Sequence, residues 1–121
     1  MYVMYYMDNF KVDVYVGIGG APEGVLAAAA IKCFGGQFQG RLVISDNDEK
    51  LRATKLGITD MKKKYYLNDI IKGDVIFCAA GVTDGEMLKG IRVEGLNFLS
   101  DLLISHSEGK VTKIYTQTLE I

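Results

Sequence analysis

The chain has 121 residues, 49% hydrophobic and 24% charged, and its fourteen Lys and Arg face fifteen Asp and Glu for a net charge of −1. That composition fits one globular domain with a buried core, is too apolar for a disordered chain, and lacks the charge excess that draws a protein to nucleic acid or anionic lipid. Two cysteines and one histidine, His106, exclude a disulfide framework, a multi-histidine metal centre and any triad whose base is not His106.

Residues 1–10, MYVMYYMDNF, alternate tyrosine with methionine, so both faces of an extended segment are apolar. They lack the basic region and cleavage site of a secretory signal and are too short to span a membrane. A cytoplasmic protein is expected, with residues 1–11 as an atypical N-terminal extension. Residues 12–18, β-branched and aromatic, predict a buried strand. Gly19-Gly20-Ala21 turns the chain, and Pro22 suits the first helical turn, where its missing N–H costs nothing. A helix is predicted from Pro22 to about Phe34, stopped by Gly35-Gly36. Its middle is apolar all round, which predicts cover on both sides. Cys33 and Cys78 lie in apolar stretches and read as buried thiols.

Further elements follow. Residues 37–44 predict a second strand, weakened by Gly40. Asp46, three residues before Glu49, caps a polar helix over about residues 48–56, closed by Gly57. Residues 62–66 predict a short edge strand blunted by its lysines, and residues 68–71 a helical turn. Residues 75–80 are the most continuous strand, followed by the loop Gly81-Val82-Thr83-Asp84-Gly85. Residues 96–105 and 110–117 predict an antiparallel hairpin turning at Ser107-Glu108-Gly109. The expected fold is α/β: a mixed β-sheet flanked by helices, ending in an antiparallel hairpin.

One stretch carries chemistry. Residues 16–25, VGIGGAPEGV, join a strand to a helix N-terminus, where free N–H groups and the positive dipole end favour an anion. Pro22 donates nothing, which leaves the N–H groups of Gly20, Ala21 and Glu23, and the glycines let a phosphate come close. The dinucleotide fingerprint fails because Pro22 stands where a third glycine is needed, and no Gly-Lys-Ser/Thr follows for a Walker loop. Glu23 has two readings: a carboxylate that complements the helix dipole, or a ligand to Mg²⁺ or Mn²⁺ bridging to the phosphate. Asp84 and Glu86, after the best strand, are further metal candidates, set against a plain Asp-Gly turn. The run Lys62–Lys64 and Arg41 read as solvated surface rather than phosphate grips, and His106 has no nucleophile motif near it.

The segment VDVYVGIGGAPEGVLAAAAIKCFGGQFQGRL resembles class II fructose-1,6-bisphosphatases, bacterial metal-dependent sugar bisphosphatases. The likeness lies in the Gly-Gly-x-Pro-Glu-Gly turn, the alanine-rich helix, the Gly-Gly stop and the Gln-Gly-Arg strand. It continues through Gly73-Asp74-Val75-Ile76-Phe77, Gly81-Val82-Thr83-Asp84-Gly85 and Leu88-Lys89-Gly90, covering about residues 12–92; the tail is looser. The resemblance implies a sugar-phosphatase-type layered fold and hydrolysis of the 1-phosphate of fructose-1,6-bisphosphate in gluconeogenesis. It implies Glu23 as a metal ligand, for Mn²⁺ or Mg²⁺ in a completed active site, and Gly20 with Ala21 as substrate-binding backbone.

The departures carry equal weight. In that family the other metal carboxylates, the catalytic threonine and an Asp-Pro motif lie in an amino-terminal domain. Pro22 is the only proline here, so no Asp-Pro exists, and MYVMYYMDNF stands where an acidic substrate-binding motif is expected. Residues 1–121 therefore resemble the C-terminal domain alone. The expected partners are a sugar bisphosphate, an N-terminal phosphatase domain in trans and a second copy in a homo-oligomer, with no nucleic acid and no membrane. The other class of function open to such a chain is a non-catalytic phosphometabolite-binding or regulatory module.

Overall fold

The computed structural model describes residues 13–109 and 112–120. The proposed extension, residues 1–11, lies outside them. The elements in order are α1 (Ala21–Cys33), β1 (Gln39–Gly40), α2 (Asn47–Lys55), β2 (Tyr65–Tyr66), α3 (Leu67–Ile70), β3 (Ile76–Ala80), β4 (Arg92–Glu94), β5 (Asn97–His106) and β6 (Thr112–Glu120). Helices pack with antiparallel sheets, an α/β fold. All the pairing among the described residues is antiparallel.

Strand β5 is the spine of the larger sheet. Strand β6 pairs along it from Asn97 to Ser105. Strand β3 pairs with residues 102–106 and β4 with residues 97–99. Because β6 occupies one edge throughout, β3 and β4 lie end to end along the other. Residues 81–91 are an excursion between two collinear strand pieces. The short pair β1–β2 forms a separate ribbon.

The core is where α1 meets the sheet. Ala27, Ala28, Ala29, Ala30 and Cys33 are buried, and Leu103 of β5 is the largest fully buried side chain among the described residues. Small side chains let the helix axis approach the strands closely. The last turn of α1 is pinned at the start of β3: the Cys33 thiol lies 3.5 Å from the Val75 carbonyl and 3.4 Å from that of Ser105. Lys32 Nζ donates to the carbonyls of Ile71 at 3.0 Å and Gly73 at 2.7 Å. Helix α1 therefore runs back against β3, and its first turn lies toward the end where β3 stops. Helix α2 starts as expected, with Asp46 Oδ1 accepting from Glu49 N at 2.8 Å.

Four expectations change. Residues 14–18 join no sheet and make no backbone hydrogen bond among the described residues, so the predicted buried strand does not form there. Helix α1 is covered on one side only: Val25 and Leu26 are exposed. Cys78 is exposed rather than buried, because successive β3 residues face opposite ways and only the face carrying Phe77 and Ala79 turns toward α1. Strand β4 was not expected, and the strand predicted over residues 37–44 shrinks to Gln39–Gly40.

Candidate functional site at the start of helix α1

Gly20 is the N-cap of α1, in extended backbone, and no side chain caps the helix. The first intrahelical bond is Gly24 N to Gly20 O at 3.0 Å. The N–H groups ahead of it are the usual orphans of a helix start, less the one Pro22 lacks. Gly20, Ala21, Pro22 and Glu23 are all exposed. Glu23 turns back along the helix start, and its carboxylate lies over Gly20, so that a Cβ at Gly20 would collide with Oε2. No lysine or arginine pairs with it among the described residues, where the sole ion pair is elsewhere. The turn, its orphan donors and an unneutralised carboxylate thus share one open surface, which suits an anion and a cation bound side by side.

Residues 81–91 are built differently. Asp84 Oδ1 accepts from Gly90 N at 2.9 Å, Gly85 N donates to Leu88 O at 3.0 Å, and Ile91 N donates to Val82 O at 3.2 Å. A Cβ at Gly90 would sit 2.7 Å from the Thr83 carbonyl carbon, and one at Gly81 would strike the Lys89 carbonyl oxygen. Glycine is required at both by close backbone approach. Asp84 is thus engaged in holding the loop; Glu86 is exposed.

Asp101 closes the base of this loop. Its carboxylate receives Arg92 Nη2 at 3.0 Å, Thr116 Oγ1 at 3.0 Å and Lys89 N at 3.2 Å, and its carbonyl receives Gly81 N at 2.9 Å. Arg92 Nη1 also reaches Gly90 O at 3.2 Å. The Arg92 guanidinium, with the other two donors, holds the Asp101 carboxyl below its ordinary range against the opposing effect of burial. Reading the sequence missed this cluster. Its signal was a lone acid inside the apolar run of β5.

No hydrogen bond joins the two regions among the described residues. Among the described residues no group of three or more His, Cys, Asp and Glu is placed to hold a metal. Lys62, Lys63 and Lys64 are exposed, as is Arg41. The Lys63 ammonium lies 5.0 Å over the Tyr65 ring. His106 Nδ1 accepts from Glu108 N at 3.0 Å, a turn contact. No described helix is long and apolar enough to cross a membrane.

The family follows from comparison. The sequence model described as "Bacterial fructose-1,6-bisphosphatase, glpX-encoded" matches residues 2–118, and the chain belongs to that family. A D-fructose 1,6-bisphosphatase class 2/sedoheptulose 1,7-bisphosphatase of Synechococcus sp. (strain JA-2-3B'a(2-13)) is 33% identical over 115 residues, 84% of this chain and 33% of that protein. The like-named protein of Synechococcus elongatus is 40% identical over 90 residues, 64% of this chain and 26% of that protein. The chain spans about a third of the length of the curated relatives it matches.

Proposed function

We propose that this chain is the C-terminal domain of a fructose-1,6-bisphosphatase and supplies one metal-ligand carboxylate, Glu23, and one phosphate-binding turn, Gly20-Ala21. The observation that carries this reading is the Glu23 carboxylate lying over Gly20 at an uncapped helix start, with no basic partner among the described residues. The Gly20 and Ala21 backbone receives phosphate oxygens, and the positive end of α1 steadies their charge. A carboxylate beside a phosphate is repulsive by itself. A divalent cation between them removes that repulsion, and the oxygen donor of Glu23 suits Mg²⁺ and Mn²⁺.

One carboxylate does not make a phosphatase centre, because these ions need several oxygen ligands. The remaining ligands and the groups that activate water come from an N-terminal phosphatase domain, which corresponds to the rest of the relatives' length. When bound, the cation would supply charge neutralisation for an in-line displacement in which water adds to phosphorus and loses a proton while the bond to the sugar oxygen breaks and that oxygen takes up a proton. Glu23 would hold the cation, and the Gly20 backbone would orient the substrate 1-phosphate. Apolar surface left open elsewhere on this domain, at Val43, Leu51 and Leu56 and outside residues 14–18, drives its self-association to a homodimer or larger.

Phosphate release from fructose-1,6-bisphosphate with Mn²⁺ tests the reading. The isolated chain gives none, and adding the N-terminal domain restores it. Robust turnover by the pure chain would refute the division of labour. Reversible sugar-phosphate binding without turnover in the completed assembly would favour the regulatory module instead.

A further inference from the structure

The segment leading into the site is extended, apolar on both faces and bare. Val14, Val16 and Ile18 are 76%, 88% and 89% exposed, and Tyr15 is 65% exposed. Its backbone makes no hydrogen bond to the described residues, and residues 14–20 carry no charged side chain. The Tyr15 ring lies over Gly17, about 3.0 Å from where a Cβ would stand, so the segment's own side chains are its nearest neighbours there.

A strand at a sheet edge with one wet face alternates apolar and polar residues. Near-continuous apolar character is the mark of a strand covered on both faces, inside a sheet that carries helices on each side. Residues 14–18 have that character and, among the described residues, none of the cover. Val25 and Leu26, on the helix that follows, are exposed as well. The family match includes these residues, so the segment is a family feature and not an addition. In the relatives, about two thirds of the polypeptide lies outside the matched part and is available to cover it.

We propose that residues 14–18 are an interior strand of a β-sheet completed by the polypeptide that makes up the other two thirds of the relatives' length. The occupant of this surface is thus a sheet edge with apolar layers on both sides. The proposal rests on the reading above that such a polypeptide completes this chain. It adds the docking element and the reason the site depends on it. The strand ends at Gly19-Gly20, so pairing it fixes where the Gly20 turn and Glu23 stand relative to groups on the partner.

The test mixes the full chain with the Synechococcus sp. relative from which the matched 115 residues have been deleted. Hydrogen–deuterium exchange and light scattering are the readouts. The expected result is a stable complex in which the amides of residues 14–18 exchange at least tenfold more slowly than in the free chain. Val16→Pro removes a backbone N–H at a position that is 88% exposed and makes no backbone hydrogen bond among the described residues. It leaves the melting temperature of the free chain unchanged and abolishes the complex, while Val16→Thr still binds. Absence of a complex overturns the proposal. So does a complex in which these amides exchange freely or Val16→Pro binds as well as wild type. Protection in the free chain also overturns it: concentration-dependent protection makes a second copy the occupant, and concentration-independent protection makes it another part of the same chain. A complex with a protected strand but no Mn²⁺-dependent phosphate release removes the phosphatase reading and leaves the docking strand standing.

Discussion

The two polar regions, the start of α1 and the 81–91 loop, are built on opposite plans. Around residues 81–91 each carboxylate that shapes the loop is spent on it: Asp84 on Gly90, Asp101 on Arg92, Thr116 and Lys89. At the start of α1 the helix is uncapped, and Glu23 has no basic partner among the described residues. A satisfied network gives a loop one conformation. An unsatisfied, exposed one has bonding capacity left for a ligand. Sequence position alone does not separate them, since both are glycine-rich turns after apolar strands with an acid nearby.

Substitutions sharpen that contrast. Of the two regions, the closed one shows the larger effect. Gly81→Ala drives a methyl into the Lys89 carbonyl, which is backbone and cannot swing away. Such overpacking costs about 1–3 kcal/mol or more. Urea melts should show it fully, with Gly19→Ala, where an added Cβ meets nothing within 4 Å, as the mild counterpart. In the core, Leu103→Ala empties the largest fully buried side-chain position among the described residues and should cost about 2–5 kcal/mol by the same measurement.

A smaller effect tests the polar staple. The Asp101 carboxyl titrates below its unfolded value, so the folded state holds its proton less tightly. The stability it contributes is present above the unfolded pKa of about 3.9 and is lost as pH falls through the lower folded value. Acid melts should show wild type losing stability below about pH 4 more steeply than Asp101→Asn. At the edge of the fold, Asp46→Ala removes the cap of α2 and should cost about 1 kcal/mol in thermal unfolding. Smallest of all is Glu23→Gln, whose exposed side chain has no partner among the described residues to lose; its melt should match wild type within about 0.5 kcal/mol.

Elements with their own local signals were readable in advance. The α1 glycine turn, the Asp46 cap and the β5–β6 hairpin each carry a start or stop residue, and α1, α2 and β3 fall within a residue or two of their expected bounds. Strand β4 has three residues and no such signal. What periodicity could not convey is which apolar faces are covered. The apolar character of residues 14–18, of Val25 and Leu26 and of Cys78 says that cover is needed and not whether this chain provides it. The candidate site was readable for a related reason. A proline and a carboxylate just inside a helix start, after paired glycines, are local chemistry, whereas Asp101 acts through partners 9 to 15 residues away in sequence.

The most direct measurement pairs one carboxylate from each region. In the chain completed by an N-terminal phosphatase domain, Mn²⁺-dependent phosphate release from fructose-1,6-bisphosphate is compared for Glu23→Gln and Glu86→Gln. The account predicts a loss of at least a hundredfold for Glu23→Gln, about 2.7 kcal/mol of transition-state stabilisation, and no change for Glu86→Gln. Unchanged turnover with Glu23→Gln, or a loss that follows Glu86 instead, would contradict it.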